Sequence, residues 1–129
     1  MAAISISFVD KMKFEAKIRK HTMTIDVPED LKGTDSGPMP PELFVLSLAS
    51  CMGYYVLFYC RKNGIPVEGL KIDADFEKAK DPDRVSKIDI KFHVGNVSEE
   101  HKQGMIKIAE KCMVHQSIIH KPDINISVG

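Results

Sequence analysis

The sequence lacks an excess of charge: 18 lysines and arginines face 18 aspartates and glutamates, for a formal net charge of zero. Non-specific nucleic-acid binding relies on surplus positive charge to neutralise phosphates, so the balance argues against that function. No block of like charge forms an acidic or basic tail. The first residues, MAAISISFVDKMKFEAK, have no basic stretch leading into an apolar run, so they do not read as a signal peptide. Cysteine is scarce and odd in number, three in 129 residues, which argues against a disulfide framework. The expectation is a cytoplasmic protein whose thiols start out reduced. Arginine occurs only at Arg19, Arg61 and Arg84. Internal repeats and low-complexity tracts are absent.

What is present suits one domain with a core: the hydrophobic share is 43%. Ile4, Ile6 and Phe8 alternate with Ser5, Ser7 and Val9. The same period of two recurs at Phe14, Ala16, Ile18 and at Met23, Ile25, Val27. It predicts an N-terminal sheet over residues 2–27 with one wet and one dry face. Gly33, Gly37 and Pro38 mark a loop, and Pro40-Pro41-Glu42 opens a helix, since proline is tolerated in a first turn. This central helix spans 41–63 and is stopped by Gly64 and Pro66. A hairpin follows over 69–95, with Leu70, Ile72, Ala74, Phe76 on one strand and Ile88, Ile90, Phe92, Val94 on the other. Ser98 caps a second helix over 98–115, whose buried stripe carries Met105, Ile108, Ala109, Cys112 and Met113. Ile124, Ile126 and Val128 predict a last strand at 123–128. The class is α+β, mostly antiparallel, with helices on one face of the sheet.

The central helix raises the functional question. From Leu43 to Cys60 there is no charged residue, and Cys51 lies near the middle. Three readings are open: a membrane span, a core helix with an inert cysteine, or a buried reactive site. The run is near the length of about 18 residues that a bilayer demands. Ser47, Ser50, Gly53 and the tyrosines at 54, 55 and 59 weaken its partition into lipid, and half-buried strands elsewhere need a helix to cover them. No membrane is therefore expected as a partner. The helix is apolar on all sides, which predicts burial on all sides and, with a single sheet to cover it, a second subunit about a twofold axis.

Cys51 and Cys112 fall on buried parts of two different helices, and Cys60 is out of phase with Cys51. Each could be an inert small hydrophobe. If the helices pack side by side, two cysteines can approach disulfide distance and support redox chemistry. Periodicity shows only that both can face the core. His115, one turn after Cys112, reads equally as a neighbour of the thiol or as a helix-end histidine on a carbonyl. His21, His93, His101 and His120 read as solvated. Cys112, His115 and His120 with Cys51 or Cys60 make a poor zinc set, because structural zinc ligands come in pairs from tight turns. Neither metal nor cofactor is expected. Tyr54 and Tyr55, at i+3 and i+4 from Cys51, read as core or interface residues that can also contact substrate, and His115 is a candidate substrate contact beside them.

The stretch GPMPPELFVLSLASC resembles the OsmC/Ohr family of hydroperoxide-reducing proteins at Gly37, Pro40, Glu42, Leu43 and Cys51. The segment AEKCMVHQSI resembles the family's second cysteine segment at Cys112, Val114, His115, Ser117 and Ile118, and the element order agrees throughout. In one OsmC-like branch that segment reads Cys-Pro-Val-His, then a polar residue, then Ser or Thr. The resemblance implies an intertwined homodimer of OsmC-like fold. It implies that Cys51 is peroxidatic and Cys112 resolving, and that an external dithiol restores the pair. It implies an arginine to pair with the thiolate, for which Arg19 in the N-terminal sheet is the candidate, and an acidic partner, Glu42. Three positions depart from the pattern. Pro41 stands where the best-studied members have the glutamate, Glu42 lies one step nearer the cysteine, and Met113 replaces the proline after the second cysteine. The apolar run around Cys51 favours an organic hydroperoxide over hydrogen peroxide. The alternative is a non-catalytic protein that binds a small apolar ligand on the same fold.

Overall fold

The computed structural model describes residues 2–129. The chain forms two compact units, the first ending at Phe44 and the second running from Val45 to Gly129.

In the first unit, β1 (Ile4–Asp10), β2 (Lys13–Ile18) and β3 (His21–Ile25) form an antiparallel sheet in that order. Ile4 pairs with Ile18, Ile6 with Ala16 and Phe8 with Phe14, so the alternating apolar residues share one face. Phe8 and Phe14 meet edge to face with ring centroids 6.3 Å apart. The expected dry face is not dry within one chain, however. Ile4, Ile6 and Phe8 are each more than half exposed, and Ala16 alone on these strands is buried. Alternation fixes which face is apolar; it does not supply the cover.

After β3 the chain wraps a loop around Asp26, which is 1% exposed. Its carboxylate accepts the amide and hydroxyl of Ser36 (3.1 and 2.7 Å) and of Thr34 (3.2 and 2.7 Å), and the amide of Val27 at 2.8 Å. Led by the Ser36 hydroxyl and amide, these donors hold the carboxyl well below the usual carboxylate range, against the opposing effect of burial.

Helix α1 (Pro40–Lys62) matches the predicted central helix to within one residue at each end. Glu42 reaches back so that Oε1 accepts the Met39 amide at 2.8 Å, which satisfies an orphan donor of the first turn. Burial on all sides is not observed. Val45, Leu48, Ala49, Gly53, Val56 and Cys60 are buried, whereas Leu46, Tyr54 and Phe58 are each about 60% exposed. An 18-residue window of α1 has a mean hydropathy of 1.8, enough by composition and length to cross a membrane. Val56 and Cys60 of its buried stripe instead pack into the core of the second unit, as in a core helix.

That unit contains the hairpin β4 (Lys71–Ala79) and β5 (Arg84–His93), with Ile72 opposite Phe92 and Phe76 opposite Ile88. Ile72 Cδ1 lies so near Gly53 that a Cβ there would collide with it, so glycine sets how close β4 comes to α1. Val56 and Cys60 of α1 form a core with Met105 and Ala109 of α2 (Glu99–Glu110), against which Tyr59, Leu70 and Phe92 pack. Gly104 in α2 leaves room for the Tyr59 ring, whose Cζ would be 2.7 Å from an added Cβ. The Tyr59 hydroxyl then bonds His101 Nδ1 at 2.9 Å, so His101 is not a solvated residue as its sequence suggested. His93 is likewise engaged, with Asp73 at 2.8 Å.

Two expectations need correction. The second helix does not run to 115. It ends at Glu110, and after Lys111 and Cys112 a separate helix, α3 (Met113–Ile119), begins. Cys112 has extended backbone (φ −63°, ψ 150°), and its sulfur caps α3 by accepting the His115 amide at 3.3 Å. The strand predicted at 123–128 has no pairing partner among the described residues; Ile124, Ile126 and Val128 are 77%, 90% and 97% exposed. A period of two marks a segment able to pair, and pairing needs a neighbour.

Candidate active site

Cys51 sits on α1, half-buried, and Cys112 sits at the elbow between α2 and α3, fully buried. Both are free thiols, and their sulfurs lie near disulfide distance of each other. Periodicity had left this meeting undecided. Cys112 stays in phase with the buried Met105 and Ala109 of α2 even though the helix has ended at Glu110.

Burial pushes the Cys112 thiol up. The His115 amide acts in the opposite direction, and the neighbouring Cys51 pushes it further up. Folding thus favours the protonated form of Cys112. The two also differ in exposure, since only Cys51 can be reached from solvent without movement.

The elbow has its own fastening. Glu110, the last residue of α2, has a backbone carbonyl that accepts His115 Nδ1 and Gln116 Nε2, each at 2.8 Å. Of the two readings of His115, the ring adopts the one on a carbonyl, while the backbone N–H of the same residue touches the thiol. Gln116 was missed from periodicity. Its signal was the polar position after the histidine in the second cysteine segment.

Cys60 belongs to the core with Val56, Met105 and Ala109, and burial alone pushes its thiol up. Tyr54 is 62% exposed. Tyr55 is half-buried and, with Phe58, Tyr59, Lys62, Asn63 and Ile108, lines a cleft of about 420 Å³. Arg19 is exposed in the turn between β2 and β3, with φ 53°, and Glu42 caps the start of α1. Both belong to the first unit, and the cysteines belong to the second. Met113, in place of the usual proline, is 72% exposed. Among the described residues no three His, Cys, Asp or Glu side chains converge on a possible metal position.

The profile of OsmC-like proteins matches residues 33–127, across both cysteine segments. The chain belongs to the OsmC-like family. Solved structures of other family members share its fold. A protein from Psychrobacter arcticus named for osmotic stress induction and detoxification superposes with a TM-score of 0.84 at 23% identity, covering 91% of this chain and 88% of its own. An OsmC-like protein from Mycoplasma pneumoniae gives 0.76 at 17% identity, over 92% and 86%. An organic hydroperoxide resistance protein from Legionella pneumophila gives 0.67 at 15% identity, over 89% and 86%. At these identities the likeness concerns the fold. No curated protein matches the sequence. This OsmC-like chain therefore combines a shared fold with a pair of thiols near disulfide distance.

Proposed function

We propose that this OsmC-like protein reduces organic hydroperoxides through Cys51 and Cys112. The observation that carries the reading is the closeness of the two thiols, near disulfide distance, one half-exposed and one buried. The names of the Legionella protein and of a Vibrio cholerae structural neighbour, both given for organic hydroperoxide resistance, support it. The Cys51 thiolate attacks the O–O bond of ROOH. The distal oxygen goes to sulfur as a sulfenic acid, and RO⁻ leaves and is protonated to the alcohol. The Cys112 sulfur then displaces water from the sulfenic acid, forming the disulfide. An external dithiol exchanges with that disulfide, is itself oxidised, and leaves both cysteines as thiols.

Arg19 and Glu42 keep, as proposals, the roles the resemblance gives them in activating the thiolate. Tyr54, Tyr55 and His115 are proposed to contact substrate. We further propose a homodimer in the cytoplasm. The exposed apolar residues Leu46, Tyr54 and Phe58 of α1 and Ile4, Ile6 and Phe8 of β1 support association, and sedimentation of the purified chain tests it.

The deciding experiment treats the reduced protein with cumene hydroperoxide and, separately, hydrogen peroxide, and counts free thiols with time. Rapid loss of two thiols per chain, faster with the organic peroxide and abolished by Cys51→Ser, is the expected result. Loss no faster than that of glutathione defeats the enzyme reading. It would leave the apolar cleft at Tyr55 and Phe58, and with it the ligand-binding alternative, as the better account. Arg19→Met and Glu42→Gln are expected to slow the first step. In the second variant the side-chain amide oxygen can still accept the Met39 N–H, so charge is removed without removing the cap.

A further inference from the structure

The elbow between α2 and α3 poses a mechanical question. A resolving cysteine must be held at the partner sulfur, because disulfide formation depends on how much of the time the two sulfurs are in reach. Yet Cys112 lies outside regular structure, between Lys111 at the end of α2 and Met113 at the start of α3. Its position is therefore set by whatever fixes the angle between the two helices.

The structure shows what does so. The last carbonyls of a helix have no partner within it. Here those of Ile108 and Ala109 accept the amides of Lys111 and Cys112, each at 3.1 Å. The next, on Glu110, is taken up by two side chains from α3, His115 through Nδ1 and Gln116 through Nε2, both at 2.8 Å. A carbonyl has two lone pairs, so both donors can be served at once. The two bonds span the residues between them and close a ring of chain that contains Cys112. A carbonyl can only accept, which fixes the proton of neutral His115 on Nδ1; protonation of the ring adds a proton at Nε2 and leaves this bond in place.

We infer that His115 and Gln116 are positioning residues: by clamping the Glu110 carbonyl they hold Cys112 against Cys51 and so favour closure of the disulfide. The inference rests on the redox pairing of Cys51 and Cys112 proposed above. It adds a role for two side chains through the Glu110 carbonyl that both of them bond. Closure joins two thiols with loss of two electrons and two protons, and an oxidised dithiol or diamide accepts both.

The test measures the reduction potential of the Cys51–Cys112 disulfide in the full chain, formed with diamide and equilibrated with dithiothreitol buffers. No hydroperoxide is involved, so the result does not depend on the peroxidase step. Gln116→Ala is expected to weaken disulfide formation about tenfold, equal to about 30 mV for a two-electron couple. Gln116→Glu keeps the shape but has no N–H to donate when ionised, and should match Gln116→Ala. Gln116→Lys restores a donor and should recover to within about threefold of the natural chain, on the same conversion. His115→Ala should resemble Gln116→Ala. The urea midpoint of each reduced variant should stay near that of the natural chain, because both donors are partly exposed; the potential is what moves. Potentials of the Ala and Glu variants within about twofold of the natural chain overturn the positioning role alone. Failure of the natural chain to form a Cys51–Cys112 disulfide with diamide overturns the redox pair itself and this inference with it.

Discussion

The seat of α1 on β4 can be tested with two small substitutions. Gly53 is two residues past Cys51, and a Cβ at that position would collide with Ile72 Cδ1, whereas Ile72 Cγ1 stands off at 3.8 Å. Gly53→Ala has two opposed effects. Alanine gains about 1 kcal/mol of helix propensity over glycine. Forcing a methyl into an occupied contact costs about 1–3 kcal/mol. The single variant should therefore be less stable by up to about 2 kcal/mol. Ile72→Val removes the colliding methyl and nothing else, at a cost of about 0.5–1.5 kcal/mol. In the double variant the collision is gone, the propensity gain remains, and the two nearly cancel. The coupling between the sites should be about 1–3 kcal/mol in the favourable sense. Urea unfolding at fixed protein concentration measures it, since self-association would make the midpoint concentration-dependent. A double variant whose loss equals the sum of the single losses to within about 0.5 kcal/mol would refute the claim that this contact sets the helix-to-hairpin distance.

Native alkylation with iodoacetamide, followed by mass spectrometry, should label Cys51 ahead of Cys60 and Cys112, because the last two are fully buried and burial pushes their thiols up. Equal labelling of all three would contradict the assigned exposure. A thiol raised by folding stabilises the folded state fully below the unfolded cysteine pKa of about 8.5, and that contribution is lost as the pH rises toward its folded value. Stability should thus decline above about pH 8.5, and less steeply in Cys60→Ala than in the natural chain, as read from urea midpoints across pH. Asp26 works in reverse. Its carboxyl is lowered by folding, so its contribution is complete above the unfolded value of about 3.9 and disappears as the pH falls toward the folded value. Asp26→Asn should lower the urea midpoint at neutral pH and flatten the acid limb; an unchanged acid limb would show that the Ser36 and Thr34 bonds do not carry it.

Much of the architecture was legible in the residues. Alternation located all five strands of the two sheets, and proline with glutamate at one end and Gly64 at the other bounded α1 closely. These signals are local: each depends on residues that are neighbours along the strand or helix. The errors came where a decision depended on something distant. The stripe Met105, Ile108, Ala109, Cys112 continued in phase past the true end of α2, because periodicity cannot see that a cysteine will cap a following helix. The alternation at Ile124, Ile126 and Val128 was real but had no strand to pair with among the described residues. The uncharged surface of α1 told where water is disfavoured and not what stands there instead. His101 and Asp26 carried no sequence signal, since their roles arise from Tyr59 on another helix and from a loop folded back on itself.

By itself the sequence determined the elements, the apolar faces and the two cysteines that can turn inward, since backbone periodicity and side-chain chemistry are properties of neighbouring residues. Only the tertiary structure decided that Cys51 and Cys112 lie close together, and that Cys112 is the fully buried one. Contact and burial depend on how separate segments pack. A break of two residues after Glu110 starts a second helix that periodicity alone would have read as a continuation of α2.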